Sequence, residues 1–289
     1  MNIPIIGALL SALGFGSANV AIKKLLGNTS IPQTLFMSFL GGTICLFLVV
    51  VIRGLPLSFD SSTIVIFILL AIAEVGLYLI LYKAFDVADV TVASAVVSTY
   101  PIFSTIITVL FFNERFTPLK IVAIIFIVLG AIVTSIDFEK VRKSGLSIKS
   151  FEKGLPWALL CLVFHAVYFP LLGRFAAEGS WETKLLGIKL VGTLILFLFF
   201  IIIKRIKFEG GRSRLGLGFM LGFLEVVGWS GIALASSLSE GMIALIIVIG
   251  SSAPIATAVL ARIFLKERLS LLQYVGVLII VISLAIIAL

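Results

Sequence analysis

Ten apolar runs of about 20 residues each follow one another along the chain, and short turns separate most of them. An α-helix of about 20 apolar residues spans the hydrocarbon core of a bilayer, whereas a barrel strand needs only about 9–11 residues. The runs therefore predict an all-α, polytopic membrane protein with ten transmembrane helices. The predicted spans are residues 3–22, 32–52, 62–85, 91–112, 117–136, 155–175, 183–203, 215–238, 242–264 and 270–289.

Composition agrees with this prediction and narrows the classes of partner. The chain is 61% hydrophobic and 12% charged, against about 25% charged residues in an average soluble domain. The net charge of +8 comes from Lys and Arg residues in the turns, which is typical of helix flanks at a membrane, so we expect no nucleic-acid partner. Cys45 and Cys161 lie inside apolar runs without metal-ligand spacing. They are interpreted as small buried side chains, with a disulfide as the alternative, and we expect neither a metal nor a cofactor.

One pattern occurs twice. Pro101 is followed 13 residues later by Glu114 in the charged turn Asn113-Glu114-Arg115, and Pro254 is followed 13 residues later by Glu267 in the turn Lys266-Glu267-Arg268. The two prolines are 153 positions apart (254 − 101). A proline in the middle of a span, followed by a short charged turn at the same distance, indicates that the chain contains two copies of one design. The turns themselves are interpreted as scaffold.

The repeat defines the domain organisation. We predict a first five-helix repeat over residues 1–136, a polar connector over 137–154 and a second five-helix repeat over 155–289. Because five is an odd number, the second half enters the membrane from the opposite side, and the halves are predicted to be inverted repeats. This arrangement is typical of secondary transporters, whose substrate site lies near the midplane between the repeats.

The segment from Gly14 to Lys24, which contains Gly16-Ser17-Ala18-Asn19, resembles the drug/metabolite transporter superfamily, and so do the two proline-to-glutamate patterns. The branch that it resembles is the ten-helix EamA-type. The resemblance implies a transporter of small metabolites, often an exporter of amino acids or related compounds. It also implies a cavity lined by the first four helices of each half, with the fifth helices at the periphery. The second half departs from this pattern, since His165-Ala166-Val167-Tyr168-Phe169 stands where the Gly-Ser-Ala-Asn element is expected.

Two glutamates lie in the middle of apolar spans. Glu74 and Glu225 are 151 positions apart (225 − 74), so they occupy nearly equivalent places in the two repeats. An ionised side chain at the bilayer centre costs roughly 2.5–3.5 kcal/mol even on the most favourable scales, so such residues face the bundle interior or water. We interpret both as substrate-binding or proton-carrying groups. The alternative is a protonated or paired glutamate that only holds helices together.

Aromatic residues share a helix face with these glutamates. Glu74, Tyr78 and Tyr82 are spaced four residues apart, and Glu225 and Trp229 repeat the first step. A carboxylate beside aromatic rings attracts an ammonium group through charge and cation–π interactions, so Tyr78 and Trp229 are predicted to contact the substrate. Tyr82 lies near the end of its span, and a place in the interfacial aromatic belt is its alternative.

Pro101 and Pro254 are predicted helix breaks, because each lacks the N–H that would bond to the carbonyl four residues earlier. Ser98 and Ser251 stand beside the breaks. Exposed backbone and hydroxyl groups at this depth are tolerated where they line a cavity, so both serines are predicted to be substrate-binding. Simple kinks are the alternative.

Three further polar residues complete the predicted site. His165, the single histidine, is a proton-relay candidate, with a packed hydrogen-bonding group as the alternative. Lys189 lies about two turns inside its span and either snorkels to the surface or pairs with Glu225 or a substrate carboxylate. Asn19 is a polar contact for a ligand.

Together these features predict a secondary transporter of small metabolites, amino acids or related amines, working by alternating access. Its partners are a small-molecule substrate, the lipid bilayer and protons, and it acts as a monomer or homodimer in the inner membrane of a prokaryote. The alternatives are a proton-coupled exporter of lipophilic cations and a lipid-handling or structural membrane protein. An enzyme is not expected, because the sequence contains no HExxH, GxSxG or phosphate-binding loop.

The orientation in the membrane is open. Sixteen Lys and Arg residues fall on the side where the first span ends and five on the other side. The positive-inside rule places the sixteen in the cytoplasm and both termini outside. The family resemblance instead implies cytoplasmic termini.

Overall fold

The computed structural model describes residues 3–57, 59–87, 90–97, 99–112, 117–135, 148–199, 212–238, 243–264 and 271–288. These residues form helices joined by turns, with no strand among them. The helices are α1 (Ile3–Leu26), α2 (Ile31–Ile52), α3 (Ser61–Val87), α4 (Val90–Val97), α5 (Tyr100–Phe112), α6 (Pro118–Ser135), α7 (Ile148–Ala176), α8 (Trp181–Leu196), α9 (Arg212–Ser237), α10 (Ile243–Gly250), α11 (Ala253–Phe264) and α12 (Leu271–Ala288).

Six of the described segments are long and apolar enough to cross a membrane, judged by length and composition. Their outward surfaces carry large apolar side chains such as Leu13, Leu48 and Phe223, which are about half exposed. The prediction of an all-α membrane protein is therefore confirmed for the described residues, while the number of ten spans stays a prediction. The six segments are α1, α2, α3, residues 156–176 of α7, residues 213–237 of α9, and residues 245–264 across α10 and α11.

Local sequence sets the ends of α2. The Ser30 side chain accepts a hydrogen bond from the Gln33 backbone N–H at 3.4 Å, and Pro32 stands in the first turn, where its missing N–H costs nothing. Beyond the last turn, Gly54 takes a φ of 61°, a left-handed conformation that glycine adopts without steric cost. These signals let the chain reverse direction within a few residues.

Two predicted spans are each divided into two helices. α4 ends at Val97 and α5 starts at Tyr100, while α10 ends at Gly250 and α11 starts at Ala253. Pro101 and Pro254 are the second residues of the helices that follow, where a missing N–H is tolerated. The Ser251 hydroxyl donates to the Val248 carbonyl oxygen at 2.7 Å, which satisfies an acceptor at the break. Ser98 lies outside the described residues.

Several predicted boundaries differ from the structure. α7 begins at Ile148 rather than at residue 155, because the helix continues into the polar sequence before its apolar part. The α-helical part of α8 ends at Leu196, residues 197–199 continue it as a π-helical turn, and the predicted end at residue 203 lies outside the described residues. The two charged turns, residues 113–116 and 265–268, lie outside the described part of the chain.

The second helices of the two halves, α2 and α8, pack against each other in antiparallel orientation. Arg53 at the end of α2 forms an ion pair with Glu182 at the start of α8. Further along, the Thr43 and Thr193 hydroxyls are hydrogen-bonded at 2.8 Å. The two threonines are 150 positions apart, which is the offset between the halves. α2 and α8 therefore run in opposite directions and meet at equivalent residues.

Matched packing supports this equivalence. A Cβ added to Gly42 would lie 3.2 Å from Val226 Cγ2, and one added to Gly192 would lie 3.5 Å from Val75 Cγ2. Gly192 is the counterpart of Gly42 at an offset of 150, and Val226 is the counterpart of Val75 at an offset of 151. A local two-fold relation between α2–α9 and α8–α3 accounts for the pair of contacts.

Glycines allow the closest helix contacts. A Cβ on Gly222 of α9 would lie 2.2 Å from the Ser38 carbonyl oxygen of α2, and one on Gly14 of α1 would lie 2.5 Å from the Gly228 nitrogen of α9. These helices approach backbone to backbone, as small residues permit inside membranes. α6 and α12, which correspond to the fifth predicted span of each half, pack against each other at Gly130, where a Cβ would lie 2.9 Å from the Gly276 carbonyl oxygen.

Candidate functional site

Three charged side chains meet in the core and form what we call the charged cluster: Glu74 of α3, Lys189 of α8 and Glu225 of α9. Lys189 Nζ lies 2.7 Å from Glu74 Oε1 and 3.8 Å from Glu225 Oε2. All three side chains are at most 2% exposed. Since Lys189 is enclosed, it does not snorkel to the surface, and its nearer carboxylate is Glu74 rather than Glu225.

Aromatic rings complete the surroundings of Lys189. Its Nζ lies 4.1 Å from the centre of the Phe39 ring and 5.2 Å from that of Tyr78, distances at which an ammonium is attracted to a ring face. The Lys189–Glu74 contact is a short, buried ion pair. The lysine is therefore held by charge and by the rings.

Glu225 is held by two hydroxyl groups. The Ser38 hydroxyl donates to Glu225 Oε2 at 2.5 Å and the Tyr82 hydroxyl donates to Oε1 at 2.8 Å. Tyr82 is fully buried, so the alternative of an interfacial belt position is wrong. The corresponding positions around Glu74 are Ile188 and Ala233, which have no side-chain donor.

Glu74 has a different environment. The Tyr168 hydroxyl of α7 lies close enough to interact with the Glu74 carboxylate as a hydrogen-bond donor, but in looser geometry than the Ser38 and Tyr82 contacts of Glu225. The Lys189 ammonium is thus the main stabilising group beside Glu74. This difference explains why Lys189 lies closer to Glu74 than to Glu225.

The charged cluster has an uneven balance of charge. Two carboxylates and one ammonium carry one excess negative charge when all three are ionised. A buried unpaired charge is costly, so a proton or a bound cation is the simplest way to neutralise the cluster. This arrangement can bind a positively charged group.

A cavity lies beside the cluster, and its empty space is about 610 Å³ when the part open to solvent is included. Both halves contribute to its walls, through α1, α3, α4 and α5 on one side and α7, α9, α10 and α11 on the other. The second helices, α2 and α8, are absent from the described lining, whereas the family resemblance implied the first four helices of each half. Their side chains instead build the charged cluster behind the wall. The lining residues are Phe15, Ala18, Asn19, Ile22, Leu77, Tyr78, Leu81, Phe85, Ser94, Val97, Tyr100, His165, Phe169, Glu225, Trp229, Gly250, Ser251, Ala253 and Pro254.

The structure divides the predicted site residues into groups. Seven line the cavity: Asn19, Tyr78, His165, Glu225, Trp229, Ser251 and Pro254. Glu74 and Lys189 lie in the charged cluster outside the lining, and Pro101 is also not a lining residue. Glu225 is the residue that belongs to both, and its side chain is almost entirely enclosed.

Trp229 organises the aromatic wall. Its Nε1 donates to the Tyr78 hydroxyl at 2.9 Å, and these two residues are counterparts at an offset of 151. The Trp229 ring also packs against Phe15 and Phe169, with ring centres 4.9 Å apart in each case. A ring held by so many contacts has a defined orientation, which gives the cavity a rigid apolar surface next to Glu225.

His165 and Asn19 add polar groups to the cavity wall. His165 Nδ1 lies 2.8 Å from the Cys161 carbonyl oxygen, and because a carbonyl only accepts, Nδ1 carries the hydrogen. The imidazole stacks on Phe169 with ring centres 5.5 Å apart. Asn19 Nδ2 donates to the Thr257 hydroxyl at 3.2 Å. Cys161 is buried as predicted, whereas Cys45 is only partly buried. Both carry free thiols, so neither forms a disulfide.

The cavity extends toward one end of the bundle. We call this end the Lys23 face, where α1 and α3 end and Lys23 Nζ donates to the Phe85 carbonyl oxygen at 3.0 Å. The other end, the Arg53 face, carries the Arg53–Glu182 ion pair. There Gly173 of α7 packs on Ile243 of α10, where a Cβ on the glycine would lie 2.8 Å from Ile243 Cγ2. The end of α7 therefore packs closely on the start of α10 at the Arg53 face.

Sequence reasoning missed Ser38 and Phe39, both on α2. A serine and a phenylalanine in an apolar run carry no signal of their own. The offset of 150 between Phe39 and Lys189 was the available signal for Phe39. Among the described residues, no group of three or more His, Cys, Asp or Glu side chains is arranged to hold a metal ion.

Comparison with known proteins gives the family. The sequence model of the EamA-like transporter family matches residues 2–136 and again residues 152–289. No curated protein matches the sequence significantly, whereas 27 chains of solved structures do match. One of these is a crystal structure that is 17% identical, with a TM-score of 0.77, covering 98% of this chain and 96% of that chain. At this identity the likeness shows the fold.

The two matches of the family model span nearly the whole chain, and the protein therefore belongs to the EamA-like family of integral membrane transporters of small molecules, within the drug/metabolite transporter superfamily.

Proposed function

We propose that the protein is a secondary transporter of ammonium-bearing metabolites, namely amines or amino acids, built from ten spans in two inverted five-helix repeats. The observation that carries the proposal is the position of Glu225, which belongs both to the cavity lining and to a buried cluster with one excess negative charge. A cationic ligand in the cavity neutralises that charge. The antiparallel arrangement of α2 and α8 supports the inverted topology.

The cavity walls suit such a ligand. Tyr78, Trp229 and Phe169 offer ring faces and edges to an apolar or aromatic body, and they are held in fixed orientations. A ligand ammonium approaching Glu225 takes the place of a hydroxyl donor, either Ser38 or Tyr82. The amine is thereby recognised by charge, by hydrogen bonding and by cation–π attraction.

Alternating access gives the transport step. In this conformation the cavity reaches toward the Lys23 face, and α7 packs closely on α10 at the Arg53 face. Rearrangement of the two halves around the cluster opens the Arg53 face and closes the other. A proton is the coupling ion that fits the cluster, because it neutralises the same excess charge when the ligand leaves.

A second candidate function is export of lipophilic cations. It is favoured by the lining, in which Glu225 is the charged residue among those described and no Lys or Arg is present to receive a substrate carboxylate. A quaternary ammonium with an apolar body can contact these aromatic and apolar side chains and Glu225 as well as a primary amine can. The two candidates differ in whether the ligand must donate hydrogen bonds.

The test is thermal unfolding of the purified full-length protein in detergent, with a panel of primary amines, amino acids and lipophilic quaternary cations. A ligand that binds the folded state stabilises it, by about 2.7 kcal/mol when the ligand concentration is a hundred times the dissociation constant. This stabilisation raises the melting temperature. We expect primary amines or amino acids to raise it, and Glu225→Gln to abolish the effect. Glu178→Gln is the control, since Glu178 is an exposed carboxylate far from the cavity.

Three outcomes separate the hypotheses. A shift produced by quaternary cations alone establishes the second candidate. An unchanged shift in Glu225→Gln contradicts recognition by Glu225. The absence of a shift with every compound in the panel contradicts the proposal as a whole.

A further inference from the structure

We propose that Glu74 is a second ammonium-binding carboxylate, which faces the cavity when the protein opens at the Arg53 face, and that Lys189 neutralises whichever carboxylate is turned away. This inference rests on the proposed alternating-access function and specifies how its binding site works. It assigns a distinct role to each member of the charged cluster.

The first support is the position of the local two-fold axis. Residues that are related by a two-fold axis and also contact each other must lie close to it. Three such pairs are present: the Thr43 and Thr193 hydroxyls are 2.8 Å apart, Trp229 donates to Tyr78 at 2.9 Å, and Lys189 lies over its counterpart Phe39 at 4.1 Å. The axis therefore passes through the charged cluster.

The second support is the unequal use of Glu74 and Glu225. Both lie within 4 Å of the Lys189 ammonium, yet Glu225 is part of the cavity lining and Glu74 is not. The halves of an inverted-repeat transporter move against each other around a fixed site when the side of opening changes, and we infer that this movement exchanges the conformations of the two halves. Exchange of the halves about this axis places Glu74 in the lining and removes Glu225 from it.

The third support is the position of Lys189 between the two carboxylates. The ammonium lies 2.7 Å from the carboxylate outside the lining and 3.8 Å from the carboxylate within it. A shift of about 1 Å in its position changes its nearer partner.

The consequence is that a free carboxylate always faces the open side. In the present conformation, Lys189 neutralises Glu74 and leaves Glu225 to the ligand. In the opposite conformation Lys189 neutralises Glu225, and Glu74 receives the ligand. The ligand then passes from one carboxylate to the other, while the lysine moves in the reverse direction.

The experiment is sided chemical modification of the carboxyl groups, without any ligand. Proteoliposomes of uniform orientation receive a water-soluble carbodiimide and glycine ethyl ester, either outside or inside. Peptide mass spectrometry then measures the rate at which each carboxyl group is converted to the amide. Exposed Asp86 on the Lys23 face and exposed Glu178 on the Arg53 face report which side the reagent reaches.

We expect Glu225 to react at least tenfold faster from the Lys23 face and Glu74 at least tenfold faster from the Arg53 face. Lys189→Met removes the competing ammonium, so it should raise the rate of both without changing the side from which each is reached. If both carboxyls react from one face, or Glu74 reacts equally from both, the inference is overturned. It is also overturned if Glu74 stays unmodified while Asp86 and Glu178 react.

Because no ligand is added, this result is independent of the melting experiment. Sided reactivity without any amine-dependent shift would retain the two-carboxylate arrangement and reject ammonium as the cargo. An amine-dependent shift with both carboxyls reached from one face would keep the proposed function and reject the exchange.

Discussion

Phe39 of α2 and Lys189 of α8 occupy equivalent positions in the two halves, and they contact each other across the local two-fold axis. One is a neutral ring and the other an ammonium. The surroundings of the two glutamates also differ. Glu225 has Ser38 and Tyr82 as hydrogen-bond donors, whereas the equivalent positions near Glu74 are Ile188 and Ala233, which have no side-chain donor. The two carboxylates are therefore stabilised differently: Glu225 accepts hydrogen bonds from Ser38 and Tyr82, whereas Glu74 relies mainly on the Lys189 ammonium.

This difference makes the cluster dependent on a single residue. Glu225 keeps two hydrogen bonds if the lysine is lost, whereas Glu74 loses its only close cation among the described residues. A symmetric cluster with a lysine in each half would have no excess negative charge. The asymmetry thus leaves one negative charge for a cation to neutralise.

The largest expected effect comes from Lys189→Met, which leaves two carboxylates in the core without a cation. Breaking a buried ion pair by removing one partner typically costs about 3–5 kcal/mol, so we expect a large fall in the melting temperature in detergent. Adding Glu74→Gln to this variant should recover much of the loss, and adding Glu225→Gln should recover less, because Glu225 retains its hydroxyl donors. Equal recovery by the two second substitutions would contradict the difference between the carboxylates.

The next effect concerns the helix contacts. Gly222 of α9 has Ala71 of α3 as its counterpart, and a Cβ on Gly222 would lie 2.2 Å from the Ser38 backbone oxygen. Gly222→Ala should therefore force α2 and α9 apart and cost about 1–3 kcal/mol, measured by thermal unfolding. Gly216→Ala on the same helix is the matched control, since no atom lies within 4 Å of a Cβ there. If both variants melt alike, α9 does not approach α2 as closely as described.

A smaller effect is expected at the axis itself. Thr43→Val and Thr193→Val each remove one partner of the hydroxyl pair, and such bonds in membrane proteins contribute about 0.6 kcal/mol on average. A double-mutant cycle on thermal stability should give a coupling energy of that order. A coupling energy of zero would indicate that the two hydroxyls do not interact and would weaken the placement of the axis.

The smallest effect on stability is expected at the Arg53 face. Arg53 pairs with Glu182, and its own side chain is 57% exposed, so the pair should contribute about 0.2–1 kcal/mol. The corresponding position to Glu182 in the first half is Pro32, so the Lys23 face cannot form the same pair. Arg53→Gln should therefore lower the melting temperature only slightly. Its main effect should be on the balance between the conformation open at the Lys23 face and the conformation open at the Arg53 face. In the sided modification assay it should raise the reactivity of Glu74 from the Arg53 face, and an unchanged rate would contradict a closing role for the pair.

The sequence was informative where a residue conflicts with its surroundings. Glu74, Glu225 and Lys189 stand out because charges are costly in apolar spans, and the offset of about 150 residues is enough to pair equivalent positions in the two halves. The proline pattern likewise predicts that two spans are divided near Val97 and Gly250. The repeated pattern, together with the segment from Gly14 to Lys24, predicts the EamA-like family.

Contacts between helices were beyond sequence reasoning. Lys189 was expected to pair with Glu225 or with substrate, but its closer neighbour is Glu74, and only the packing of α3 against α8 decides this. The interfacial alternative for Tyr82, suggested by its place near a helix end, is wrong because Tyr82 is buried against Glu225. Ser38 and Phe39 belong to a nearly uniform apolar run, and their roles depend on which face of α2 meets α8 and α9.

The most direct test of the central claim is solute counterflow in proteoliposomes with radiolabelled 2-phenylethylamine, an aromatic primary amine. Vesicles loaded with unlabelled amine should accumulate the labelled compound transiently above the level of protein-free vesicles. Glu225→Gln and Glu74→Gln should each reduce this accumulation to that level, because both carboxylates take part in one cycle. Accumulation that persists in either variant, or is absent in the unmodified protein, would contradict transport of ammonium compounds through the charged cluster.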